Sequence, residues 1–208
     1  GRRVRPSGCA GPASGRRQIP RGPPPGLAHR RAGDGQRART ALARRAVETF
    51  VREQLIISLG ILPPDSILNS KAACFVCIKT AYDLRGCIGT VEPVMHTLAE
   101  EIITNAIHAA TLDPRFDPIS GGELLDLYYT VDVLETPEPA LYEDLDPREY
   151  GVIVEDKSSS RRGLLLPNIE GIETPDQQIR IAARKAGLAP NMPLRLQRFR
   201  VRRFTETT

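Results

Sequence analysis

Arg85-Gly86-Cys87-Ile88-Gly89-Thr90 is the segment of this chain whose residue types are best suited to chemistry. Its two glycines sit within Leu84 to Val91, a stretch with strand character. Glycine there marks a bulge, a positive φ, or close approach by another backbone or a ligand. A cysteine between them would be presented on a constrained turn. Arg85 would favour the thiolate if its guanidinium folded back. Cys87 is then either a nucleophile or a small buried residue on a bulged strand. The second segment is Asn105-Ala106-Ile107-His108-Ala109-Ala110-Thr111-Leu112-Asp113-Pro114-Arg115-Phe116. Asn105, on a largely apolar helix, needs a polar partner if buried. Asp113 and Arg115 flank a proline, and either lock a helix-terminating turn or face a ligand.

The remaining cysteines and histidines suggest no metal site. Cys74 and Cys77 form a C-x-x-C in an apolar, β-prone stretch. On a strand, residues three apart point to opposite faces and lie roughly 10 Å apart, too far for a disulfide with each other. Both are read as buried free thiols, with a redox or zinc pair as the alternative. Cys9 lies near the N-terminus. The absence of plausible pairs fits a reducing cytosol. His29, His96 and His108 lack metal-site spacing. Phosphate-loop, dinucleotide and nucleophile-elbow motifs are absent, so no cofactor is expected.

These segments must be positioned by the elements around them. Residues 41–58 have the helical period, with Leu42, Ala46, Phe50 and Val51 on one stripe and Leu55 following. Gly60 is a plausible stop, and Pro63-Pro64 forbids continuation. Residues 73–79 read as a buried strand, and Tyr82-Asp83 as a turn. Thr97 and Glu100 form a capping box for a helix running to about Thr111. Asp113-Pro114 ends it. Residues 126–134 alternate, placing Leu127, Tyr129, Val131 and Val133 on one face. Residues 151–155 and 163–166 are two more strands around the Lys157-to-Arg162 turn. Thr174-Pro175-Asp176-Gln177 starts a third helix, which stops at Gly187. A last strand carries Leu194, Leu196, Phe199 and Val201, with a bulge expected at Gln197-Arg198. About three helices among mainly antiparallel strands give an α+β fold.

Composition divides the chain in two. Residues 1–40 hold ten Arg and one acid, with eight Gly and six Pro. Residues 41–208 keep 19 basic and 24 acidic residues, a net −5. The basic stretch cannot bury enough apolar surface to offset its ordering entropy, and is read as a disordered tail before a domain over 41–208. Its arginines suit loose phosphate contacts. The domain itself has no basic–aromatic run, so nucleic acid is an unlikely partner for it. No stretch has the roughly 18 apolar residues of a membrane span. The tail lacks the apolar core of a secretory signal. A cytoplasmic location is expected.

Leu84-Arg85-Gly86-Cys87-Ile88-Gly89-Thr90 resembles the signature of the domain family named after the Alport syndrome, midface hypoplasia and elliptocytosis chromosomal region. Later segments resemble the family in the same order: Asn105-Ala106 with Ala109-Ala110, Asp113-Pro114-Arg115-Phe116, Asp146-Pro147 with Tyr150-Gly151-Val152-Ile153-Val154, Gly163-Leu164-Leu165-Leu166-Pro167, and Lys185-Ala186-Gly187. The resemblance spans roughly residues 41–204. It implies a larger and a smaller subdomain around a cleft lined by the hexapeptide. Arg85, Gly86, Gly89, Thr90, Asn105, Asp113, Arg115 and Phe116 are the expected binding residues. It also implies a Memo-like partner, similar to extradiol dioxygenases, and a radical S-adenosylmethionine protein in the same system. Many members carry Asp where this chain has Asn168.

Two functions are compatible with these residues. One is an accessory binding module whose cleft holds a small ligand, peptide or partner surface around Arg85, Cys87 and Arg115. The other is a group-transfer or hydrolytic enzyme with Cys87 as nucleophile, Arg85 lowering the thiol pKa, and His108 or Asp113 as base.

Overall fold

Among the described residues the chain forms three amphipathic helices and eight short strands. The computed structural model describes residues 25–60, 62–63, 66–81, 83–158, 161–189 and 192–206, with backbone alone for 25–36. Residues 1–24, Cys9 among them, lie outside the described residues, as do Pro64, Tyr82 and the tip of the Lys157-to-Arg162 turn.

Helix α1 spans Pro25–Glu53, so it starts well inside the stretch expected to be a disordered tail. Arg39 and Thr40 are buried in it. It also ends before the expected Gly60. Gln54 adopts φ 57° and donates its N–H back to the Phe50 carbonyl, a left-handed helix stop. The fully buried positions are Ala43, Ala46 and Val47, with Leu42, Phe50 and Val51 flanking them. Helix α2, Leu98–Thr111, has the expected capping box: Thr97 accepts from the Glu100 N–H and Glu100 from the Thr97 N–H.

These two helices cover one face of a four-stranded antiparallel sheet, ordered β2 (Leu84–Gly89), β1 (Cys74–Lys79), β3 (Tyr128–Leu134) and β8 (Val201–Thr205). Alternation sends Cys74, Val76, Ile78, Tyr129, Val131 and Val133 into the core under the helices. The intervening residues make the sheet's other face.

The smaller subdomain is a second antiparallel sheet, ordered β4 (Glu138–Pro139), β7 (Leu194–Phe199), β5 (Gly151–Asp156) and β6 (Arg162–Leu165). Helix α3, Pro175–Lys185, packs on β5 and β6 through Ala182. Its Thr174–Gln177 capping box and Gly187 at φ 64° are the expected start and stop. No bulge occurs at Gln197-Arg198: the register of β7 with β5 runs unbroken from Phe199 to Leu194. Instead the chain leaves the second sheet after Phe199 and enters the first at Val201. Ala73, Leu134, Ile153, Leu164 and Phe199 form the apolar joint between the subdomains.

Candidate functional site

The geometry of the hexapeptide starts from one extra residue. Lys79 pairs with Leu84, but Ile78 pairs with Gly86, so Arg85 is bulged out of β2. Beyond the bulge Cys77 lies directly opposite Cys87, with Cα atoms 4.1 Å apart. The Cys87 N–H and C=O point to the free edge of the sheet, so the two cysteines occupy a non-hydrogen-bonded pair, where side chains come closest. Their sulfurs form a disulfide. This corrects the expectation that Cys77 is a free buried thiol, and it removes the cysteine argument for a reducing compartment. It also means that Cys87 carries no free thiolate in this structure. Cys74 is the free cysteine among the described residues, and burial pushes its thiol up to about 12.

Arg85 does not fold back on Cys87. Its Nε donates to Glu123 Oε2 at 2.7 Å and its Nη1 to the Asp117 carbonyl at 2.8 Å. That guanidinium, with help from Ser120, holds the Glu123 carboxyl down to about 2. Gly86 admits the backbone of α2: a Cβ there would lie 2.1 Å from the Ala109 carbonyl oxygen. Gly89 is similarly closed by the Phe75 ring. The Thr90 hydroxyl donates to Glu101, a buried carboxylate that also accepts the Val94 and Met95 N–H groups at 3.0 and 2.7 Å. Asn105 donates to the Cys74 carbonyl at 3.0 Å, the polar partner that its burial required. Phe116 lies beneath the Arg115 guanidinium.

Asp113 and Arg115 close the free edge of β2. Asp113 Oδ2 accepts the Cys87 N–H at 2.9 Å, and Arg115 Nη2 donates to the Cys87 carbonyl at 3.3 Å. The same Asp113 oxygen accepts from Arg115 Nη2 at 2.6 Å, and Oδ1 accepts from Arg115 Nε at 2.9 Å. Arg115 first, then the Cys87 and Arg115 N–H groups, hold the Asp113 carboxyl well below the usual carboxylate range. Such a carboxylate is a poor base.

A cleft of about 830 Å³ lies against the outer face of the first sheet. Phe75, Cys77, Cys87, Thr130 and the Asp132–Arg203 ion pair line it from that sheet; Leu164, Leu165, Leu166, Asn168, Ile169 and Lys185 line it from the smaller subdomain. Of the expected site residues, Cys87, Asp113 and Arg115 reach this cleft. Arg85, Gly86, Gly89, Thr90, Asn105, Phe116 and His108 do not line it. Lys79, Asp132, Asn168, Lys185 and Arg203 are cleft residues that the motifs did not single out as a site. Asp132 had a signal: it is a carboxylate in the middle of an apolar strand. Among the described residues, no group of three or more His, Cys, Asp or Glu side chains converges on a metal position, and no helix is long and apolar enough to cross a membrane.

Comparison with known proteins agrees with this architecture. A protein of Thermotoga maritima is 46% identical over 165 residues, covering 78% of this chain and 94% of its own length. Protein CA_C1420 of Clostridium acetobutylicum is 47% identical over 143 residues, which are 69% of this chain but only 30% of that longer protein. The crystal structure of PH0010 from Pyrococcus horikoshii superimposes with a TM-score of 0.74 at 29% identity, covering 83% of this chain and 92% of that one. The AMMECR1 family model matches residues 40–208, and the chain belongs to the AMMECR1 family.

Proposed function

We propose that this protein is a non-catalytic binding module, with the cleft between its subdomains as the site. The observation that carries the reading is the cleft itself. At about 830 Å³ it is sized for a small organic ligand or a short peptide. The groups an enzyme would need beside it are engaged: Cys87 by Cys77, Asp113 by Arg115, and Arg85 by Glu123. His108 stands outside it. An accessory role is supported by the Clostridium relative, in which the matched region is less than a third of a longer chain. The expected Memo-like and radical S-adenosylmethionine partners rest on the family resemblance, and co-purification from a native host tests them.

Thr130→Trp tests the cleft, because an indole on the outer face of β3 would fill its floor. Small carboxylates, phosphates and short peptides that raise the melting temperature of the native chain should lose that effect in the variant. Hits that persist in a folded Thr130→Trp protein would place binding elsewhere and overturn the reading.

A further inference from the structure

The charges in the cleft have the opposite sign to those of the domain around it. Residues 41–208 carry a net −5, yet the cleft gathers Lys79, Arg115, Lys185 and Arg203 against Asp113 and Asp132 alone. Both carboxylates are used up. Asp132 takes Arg203 through two hydrogen bonds, at 2.8 and 2.9 Å, and Asp113 takes Arg115 and the β2 edge. The Lys79 and Lys185 side chains make no hydrogen bond or ion pair with any described residue. Two positive charges are therefore left over in a concave site with apolar walls, where a field is focused rather than screened.

We propose that the cleft takes an organic anion with an apolar body, its charged head seated between Arg115, Lys185 and the Asn168 amide. The proposal rests on the reading of the cleft as a binding site and names the class of ligand. Arg115 comes from the larger subdomain and Lys185 from the end of α3 in the smaller one, so the head would bridge the two. Lys185 is exposed as a residue, yet desolvation and then the Arg115 charge hold its ammonium below the usual lysine value. Lys185 carries a left-over charge, and the Arg115 guanidinium, although paired with Asp113, still repels it, so an anion seated between them relieves that repulsion. The C-terminal carbonyls of α3 favour a cation in that turn, and Arg184 already supplies one. Asn168 stands at φ 54°, with its N–H donated to the Pro147 carbonyl and its side-chain amide free to donate. An aspartate there would cancel the left-over Lys185 charge. The body would lie along Leu164, Leu166 and Phe75.

Two fluorescent probes of nearly the same shape separate charge from shape: anionic 1-anilinonaphthalene-8-sulfonate and neutral N-phenyl-1-naphthylamine. With the full chain, the anionic probe should bind at least 10-fold more tightly. Lys185→Glu should weaken it at least 10-fold and Asn168→Asp at least 3-fold, while leaving the neutral probe within 2-fold. Arg184→Glu makes the same charge change one residue away, outside the cleft lining, and should weaken the anion less than 3-fold. Equal affinity for the two probes, or equal losses in the Lys185 and Arg184 variants, would overturn the anionic class while leaving a binding cleft. Binding of neither probe would overturn the anionic class as well, and the Thr130→Trp comparison then decides whether the cleft binds anything.

Discussion

At the scale of single residues, the pairing of Cys77 with Cys87 depends on the bulge at Arg85. Extending the Lys79–Leu84 register without it would bring Cys77 opposite Gly86 and turn the Cys87 side chain to the other face. The spacing of Cys74 and Cys77 correctly excludes a bond between them, but their sequence carries no register and so no partner. An alkylating reagent at pH 7 should leave Cys77 and Cys87 unmodified in the native protein until a reductant is added, and should spare Cys74 in either case. Peptide-level mass spectrometry reads this, and prompt labelling of Cys87 without reductant would contradict the bond. Glu123 gives a second residue-level expectation. Its carboxyl is depressed in the folded state, to about 2, from an ordinary value of about 4.3. The stability it contributes is therefore complete above that ordinary value and is lost as the pH falls towards 2. Glu123→Gln should flatten the acid limb of a melting-temperature profile between those limits. The effect should stay near 1 kcal/mol or below, because the pair is partly solvent-exposed.

At the scale of elements, both sheets use a glycine to seat a helix. Gly86 receives the Ala109 carbonyl of α2, and Gly163 receives the Ala182 carbonyl of α3, where a Cβ would lie 1.9 Å from the oxygen. Neither obstacle is a flexible side chain. Gly86→Ala and Gly163→Ala should each cost about 3 kcal/mol or more in denaturant titrations. Gly121→Ala, with open space around it, should change stability by no more than about 0.5 kcal/mol. Where an element follows from neighbouring residues, the sequence was readable: the capping boxes at Thr97 and Thr174, the alternation of Leu127, Tyr129, Val131 and Val133, and the stop at Gly187. What depended on distant chain was not. The apparent slip at Gln197-Arg198 is a change of face within a regular strand: Leu194 and Leu196 pack in the core under α3, while Phe199, on the other face of β7, fills the joint. The long start of α1 was hidden because its Arg and Gly content resembles a solvated tail. Glu101 could have been found, since it lies one turn from Leu98 and Asn105 on the buried side of α2, where a carboxylate demands donors.

At the scale of the whole molecule, β7 and β8 are nearly one strand shared between two sheets, and Phe199 sits at the joint, 2% exposed. The two halves should therefore unfold together. Phe199→Ala should cost about 3–5 kcal/mol and lower a single calorimetric transition; separate melting of the two halves would show that the joint does not couple them. The Asp113–Arg115 closure of β2 has a consequence beyond the fold. Strands at the border of a sheet recruit strands from other molecules when their amides are bare. One aspartate and one arginine occupy the Cys87 amide and carbonyl here, and so act as an intramolecular stopper against polymerisation. Asp113→Ala should self-associate at concentrations where the native chain stays dispersed, which light scattering reads, and an unchanged particle size would show that other features shield this border. The short Asp-Pro-Arg turn, whatever it contributes to the cleft, occupies within one molecule the border groups that a neighbouring copy's strand would otherwise take.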